Sequence, residues 1–274
     1  MSEAVAANVI NSLAAALAQA EQLRQPIAPL TARAPMLSID DAYRIQRVNV
    51  EQRISRGERV IGRKIGLTAK VMQELFGVHE PDYGHLLDTM WLEPGQPLDL
   101  GELIDPQVEI EPAFVLKSPL GGVDLSVADV LAATDYLCVS FEIIDSRIID
   151  WNIRIQDTVA DNGSSARVIL GNERIAPNAL ALDNLEAVVQ LDGRIVAQGN
   201  TSAVLGHPAN GVAWLARNLH SYGSRLEAGD IVLPGTCTRS WRMAGSKTVT
   251  GRIAGMGGVT LDLINSPRVI KPTT

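Results

Sequence analysis

"PQVEIEPAFVL", residues 106–116, places Glu109 and Glu111 two positions apart in a run otherwise built for a buried strand. Side chains alternate across a strand, so the two glutamates share one face while Val108 and Ile110 take the other. Like charges held that close repel, and a carboxylate taken out of water is costly unless something compensates it. Either this face is wet, or a cation sits on it.

A second apolar run, "YLCVSFEIID" (136–145), carries Glu142 between Phe141 and Ile143. Strand interiors are depleted in glutamate, so a third one here is unusual. If the two strands are neighbours, Glu109, Glu111 and Glu142 converge. Carboxylate oxygens without histidine or cysteine suit a hard cation, Mg²⁺ or Mn²⁺, and leave positions open for water or substrate. The competing interpretation puts Glu109 and Glu111 on a solvated face and pairs Glu142 with an arginine such as Arg147. Spacing alone leaves both open.

Around these runs the chain is mixed. Residues 3–24 show Ala and Leu at helical spacing, and Ser38 with Asp41 forms a capping box ahead of a helix over 40–56. A short strand at Val60–Ile61 precedes "GRKIG", and Thr68 starts a short helix that Gly77 ends. Ser126 and Asp129 cap a helix over 126–135. Asp192–Gly193 supplies a type I′ turn inside "LEAVVQLDGRIVAQG", and Pro208 opens a helix that closes at Gly223. "GDIVLPG", "TVTGRIAG" and "GVTLDLI" read as short strands. Strands outnumber helices after residue 100 without strict alternation, which predicts an α+β fold. The boundary is placed between a helical N-terminal region, 1–60, and a β-rich catalytic body, 61–274.

The 274 residues are 46% hydrophobic with a formal charge of −7, and the pI near 5.2 leaves no basic patch for nucleic acid or an anionic membrane. No apolar run reaches the roughly 18–20 residues of a membrane span. The alanine-rich N-terminus lacks the basic region of a signal peptide. Cys138 and Cys237 are far apart and outside any metal spacing, which suggests free thiols in a reducing, cytoplasmic setting.

Other residues stand out singly. Lys64 between glycines is either a desolvated proton-transfer group or a surface lysine on a turn. Asp82 follows Pro81 in the turn-rich "HEPDYGHL", where an Asx turn is the plain alternative. Ser164 and Ser165, in "DTVADNGSSARVILG" (157–171), have no neighbour resembling a triad base and serve better as donors to a carboxylate ligand.

In order, "GRKIGLTAKVMQELFGVHEPDYGHLLDTM", "PQVEIEPAFVL", "FEIIDSRIIDWNI", "DTVADNGSSARVILG", "LGHPANGVAWLARNL" and "GDIVLPGT" resemble the 2-hydroxypenta-2,4-dienoate hydratase family, within the fumarylacetoacetate hydrolase superfamily. The resemblance runs from the first helices, where "PIAPLTA" and "AYRIQRVNVEQ" also fit, to about residue 265. It implies a mixed β-roll with a helical N-terminal region, assembled as a homo-oligomer that associates with other enzymes of aromatic meta-cleavage. It implies that Glu109, Glu111 and Glu142 hold a divalent metal, Mg²⁺ or Mn²⁺. By the same resemblance Lys64 and Asp82 are catalytic, and Ser164 binds the acid end of a small 2-hydroxy dienoate. The implied activity is water addition giving a 4-hydroxy-2-oxo acid.

The sister activities are decarboxylation of a 2-oxo-3-hexenedioate (4-oxalocrotonate) and acylpyruvate hydrolysis. A non-catalytic partner subunit is the alternative of another class. The decarboxylases show "IYG" where this chain has "PDYG", so Asp82 favours the hydratase. Two departures stand out: Gly163 replaces an alanine, an exchange expected to loosen its loop, and "PGTCTRSW" (234–241) replaces the usual G-S-F-T or G-A-L-like element beside the substrate tail.

Overall fold

A computed structural model of the chain describes residues 5–70, 73–74 and 77–267. Strands β4 (Gln107–Leu116) and β5 (Thr134–Ile144) form its centre, paired antiparallel so that Glu109 lies opposite Glu142 and Ile110 opposite Phe141. Around them a larger sheet has the order β2 (Asp82–Leu87), β1 (Val60–Gly66), β9 (Ile231–Leu233), β4, β5, β6 (Ser165–Leu170). The two-residue β10 (Trp241–Arg242) joins β4 on the same side as β9, at the opposite end.

The second sheet runs β3 (Leu98–Asp99), β12 (Gly257–Ile264), β11 (Thr248–Ile253), β7 (Glu186–Leu191), β8 (Arg194–Asn200). The expected Asp192–Gly193 turn joins β7 to β8, with both residues at positive φ, 49° and 78°. Mixed sheets with flanking helices make the fold α+β, as the sequence pattern predicted.

The two faces of β4–β5 have different fates. Val108, Ile110, Phe141 and Ile143 are buried against the second sheet in the main core. Gly251 of β11 rides directly over them, so close that a Cβ there would sit 2.6 Å from Phe141 and 2.8 Å from Ile110. The opposite face carries the glutamates and then becomes apolar at Ala113 and Cys138, packed with Leu86, Val168 and Leu233.

Helices α1 (Ala7–Leu23), α2 (Leu30–Arg33) and α3 (Ile39–Ser55) share a separate core with α5 (Ile155–Ala160). Both halves of the Ser38–Asp41 capping box are made. Thr31 donates from its backbone N–H and its hydroxyl to Asp157 of α5, at 3.0 and 2.8 Å. Gln46 of α3 donates to the carbonyls of Val159 and Tyr83. The N-terminal helices thereby grip the segment that leads into the 161–164 loop. Helix α4 (Val127–Ala133) has its own capping box from Ser126 and Asp129, and α6 (Pro208–Ser221) starts at its proline. No helix among the described residues is long and apolar enough to cross a membrane.

Two local expectations are corrected. β1 does not end at Ile61 but continues through "GRKIG" to Gly66, so Lys64 is a buried strand residue and the surface-turn alternative falls. Antiparallel pairing with β2 on one side and parallel pairing with β9 on the other hold those glycines extended. Asp82 opens strand β2, paired with Gly66, where an Asx turn had been the plain alternative. The short helix from Thr68 to Gly77 falls largely on 71–72 and 75–76, outside the described residues.

β11 is hydrogen-bonded on both sides, to β12 and β7, so its backbone has little room to retreat. Gly251→Ala is expected to overpack the Phe141–Ile110 contact and cost about 1–3 kcal/mol. Chemical denaturation checks this through a lower midpoint at unchanged slope, and an unchanged midpoint would refute it.

Candidate active site

Because Glu109 and Glu142 are cross-strand partners, their side chains start on one face at adjacent positions, and Glu111 follows two residues along β4. Carboxylate oxygens of the three lie within 4.8 Å of one another. Glu111 and Glu142 are fully buried. Glu111 accepts a 2.7 Å hydrogen bond from the Gly235 N–H through Oε2. Its Oε1 and Glu142 Oε1 have no hydrogen-bond partner among the described residues.

Lys64 Nζ, itself buried, stands 3.3 Å from Glu142 Oε2. The earlier alternative paired Glu142 with Arg147. Instead Arg147 binds Asp161 through Nε, and donates to the carbonyls of Asp145, Ser165 and Asp161.

Burial, and then the charges of Glu142 and Asp82, push Glu109 up to about 7 against the pull of Lys64. Burial raises Glu111 well above the usual carboxylate range and raises Glu142 as well. Burial alone would lower the Lys64 ammonium, but Glu142, Glu109, Asp82 and Glu111 together keep it above its ordinary value. One lysine cannot balance three converging carboxylates. A divalent cation can, and it also gives the orphaned oxygens a partner. Three converging carboxylates with no histidine or cysteine are the oxygen-only donor set that a hard divalent ion takes. The residues fit a hard divalent ion.

Asp82 is buried beside this cluster, with burial raising its carboxyl and Lys64 opposing. Its Oδ1 is another buried oxygen without a hydrogen-bond partner among the described residues. Ser164 arrives on a left-handed turn: Asn162, Gly163 and Ser164 have φ of 57°, 60° and 57°. The turn is held from all sides. Ser164 N–H donates to the Asp161 carbonyl, its hydroxyl donates to Asp161 Oδ2 at 3.2 Å, and its carbonyl accepts from Asp145 N–H at 2.7 Å. The Asn162 side chain exchanges hydrogen bonds with the backbone of His85 on β2. These ties oppose the loosening expected at Gly163. An alanine Cβ there would come 3.0 Å from Lys64 Cε, so the glycine lets the lysine lie against the loop.

Lys64, Asp82, Glu109 and Ser164 all line one cavity of about 520 Å³, with Glu111 and Glu142 behind Glu109. Thus all six sequence-chosen residues meet in one place. Sequence reasoning missed three features. The Arg147–Asp161 pair anchors the serine loop, Gly235 supplies a backbone donor to Glu111, and Trp151 and Arg239 line the cavity. The "ADN" and "LPGT" segments held the first two as motif members, but nothing in their spacing assigned them partners.

Residues 89–263 match the family model for the fumarylacetoacetate (FAA) hydrolase C-terminal domain. The chain is 42% identical over 252 residues to the 2-keto-4-pentenoate hydratase of Paraburkholderia phymatum, covering 92% of this chain and 96% of that one. It is 44% identical to a 2-hydroxypent-2,4-dienoate hydratase of Pseudomonas putida, over 78% of this chain and 97% of the relative. Among solved structures it superposes with a TM-score of 0.90 and 34% identity on the 4-oxalocrotonate decarboxylase of Pseudomonas putida G7, complexed with magnesium and adipate, covering 95% and 99% of the two chains. The chain belongs to the 2-keto-4-pentenoate hydratase family of the fumarylacetoacetate hydrolase superfamily.

Proposed function

We propose that the protein is a hydro-lyase that adds water to a 2-hydroxy-2,4-dienoate to give a 4-hydroxy-2-oxo acid, acting in the cytoplasm in aromatic meta-cleavage. The observation that carries this is the convergence of three buried or half-buried glutamates, Lys64 and Asp82 on one cavity wall, in a chain with hydratase relatives along most of its length. Glu109, Glu111 and Glu142 hold Mg²⁺ or Mn²⁺. When bound, the ion supplies Lewis acidity to the C2 oxygen and C1 carboxylate of the substrate.

The chain's own groups do the rest. Ser164, fixed on its tied turn, donates to the C1 carboxylate. Lys64 and Asp82 flank the glutamates from β1 and β2 and are placed to move protons. The dienol loses its O–H proton and gains one at C5, giving a 2-oxo-3-enoate. Water then adds its hydroxyl at C4 and a proton at C3, so the net change is one water. The apolar wall formed by Ile144, Trp151 and Ile153 limits other water near the chain.

A decarboxylase is the second reading, favoured by the 0.90 TM-score to a decarboxylase structure. Supplying 2-hydroxypenta-2,4-dienoate and 2-oxo-3-hexenedioate with Mg²⁺ separates the two. Hydration of the first supports the proposal, and CO₂ release from the second without hydration of the first overturns it. The same site should lose activity in excess chelator and recover it with Mg²⁺ or Mn²⁺. Glu142→Gln should lower kcat at least 100-fold and abolish the rise in melting temperature on adding Mg²⁺, while remaining folded. Full activity in chelator would refute the metal role.

The pH dependence of the metal-free protein has a defined sign. The Glu109 carboxyl, raised to about 7 in the fold from an ordinary 4.5, favours the native state when protonated. Its contribution is complete below about 4.5 and is lost as pH rises through about 7. In chelator the melting temperature should fall across that window, and Glu109→Gln should flatten the fall. An identical slope in the variant would rule out this source.

The assembly is taken as a homo-oligomer on the family resemblance alone. Sedimentation should return a multiple of 29.4 kDa, and a monomer would refute it.

A further inference from the structure

We propose that Arg239 anchors a second, distal carboxylate, so that the substrate is a diacid: a 2-hydroxy dienoate whose far end carries a carboxylate. This rests on the hydratase reading and adds to it the class of substrate tail.

Arg239 belongs to the segment between β9 and β10 that replaces the element usual in the family. This segment runs beside the glutamate stretch of β4: Cys237 N–H donates to the Ile110 carbonyl at 3.0 Å, and Trp241 pairs with Val108. Ser240 donates to Gln107 Oε1 at 2.7 Å. The backbone on both sides of Arg239 is therefore fixed relative to the metal-type cluster. The side chain is fixed from below, its guanidinium lying 4.4 Å from the centroid of the Trp241 ring. Trp241 is packed on the main core, so the platform is rigid.

This guanidinium is exposed, faces the cavity, and has no ion-pair partner among the described residues. Of the described residues lining the cavity, Lys64 and Arg239 are the cations, and Lys64 is already engaged by Glu142. The inner end carries the carboxylates, which repel a second acid group unless a cation meets it. Arg239 is that cation, with the planar fork that accepts a carboxylate by two parallel hydrogen bonds. Gln198 lines the same cavity and its side-chain amide adds a neutral donor. A cavity of about 520 Å³ has room beyond a five-carbon acid held at the glutamates. A tail that crosses the apolar wall and ends at Arg239 uses that room.

Two stable 2-oxo acids of equal length isolate the effect. 2-Oxohexanedioate and 2-oxohexanoate differ in the terminal carboxylate, and each is titrated by calorimetry into the full chain with Mg²⁺. The diacid is expected to bind at least tenfold tighter. Arg239→Gln should remove that advantage while changing the affinity for 2-oxohexanoate less than twofold. Arg239 is exposed, so the variant should fold, and its melting temperature verifies this. Equal affinity of the two acids in the unaltered protein, binding of neither, or an equal loss on both in the variant would overturn the anchor. Tighter diacid binding without water addition to any dienoate would instead overturn the hydratase reading and leave the anchor standing.

Discussion

The pairing of Glu109 with Glu142 across β4 and β5 is the constraint on which the rest of this molecule depends. It brings acidic side chains to adjacent sites on the face turned away from the second sheet, and Glu111 joins them by strand alternation. Left alone, such a cluster opposes folding through repulsion and lost hydration. The fold surrounds it with the means of tolerating the charge: Lys64 from β1, the Gly235 N–H from the β9–β10 segment, and space for an ion. The opposite face of the same strands supplies the stabilisation, because Val108, Ile110, Phe141 and Ile143 are sealed under β11. One pair of strands thus serves as core on one side and chemistry on the other.

Pro112 shows how the site opens on one side. Ile110 turns its carbonyl toward the 234–240 segment, where it meets Cys237. Two residues on, Pro112 turns the same way, so its missing N–H faces the gap between β9 and β10 and costs no ladder bond. β9 holds β4 at Phe114 and Val115, and β10 holds it at Gln107 and Val108. Between them the neighbouring strand gives way to a loop that reaches Glu111 with a backbone donor and the cavity rim with Arg239. The proline suits an edge without any need for a bulge in β4 at that point.

Much of this was legible because it is local or periodic. Period-two alternation put Glu109 and Glu111 on one face, and both serine capping boxes and the Asp192–Gly193 turn are nearest-neighbour chemistry. The failures were long-range. The strand reads as ending at Ile61, with a surface turn open for Lys64, because "GRKIG" has the composition of a turn; β2 and β9 on its flanks hold it extended. Asp82 looked like a turn former after Pro81 for the same reason. Arg147 was the alternative partner for Glu142, but it pairs with Asp161, on a loop whose left-handed course depends on β2 and α3. Family resemblance supplied what periodicity lacked, by placing all six site residues in one set before any distance was known.

The cavity has two ends with different tolerance for change, and the 234–240 segment connects them. At the inner end every group is shared: Gly235 serves Glu111, Lys64 serves Glu142, and Gly163 makes room for Lys64. A change to one is therefore felt by the others, as neighbours in one network couple. At the outer end Arg239 touches the Trp241 ring and otherwise faces solvent or ligand. Because Cys237 and Trp241 tie the backbone to β4 on both sides of it, the side chain at 239 can be exchanged without shifting Gly235. Insertion or deletion in the segment has no such insulation, since it would carry the Glu111 donor with it. Variation in substrate tail should thus proceed by substitution at the rim, with the length of this loop held by the metal-type site.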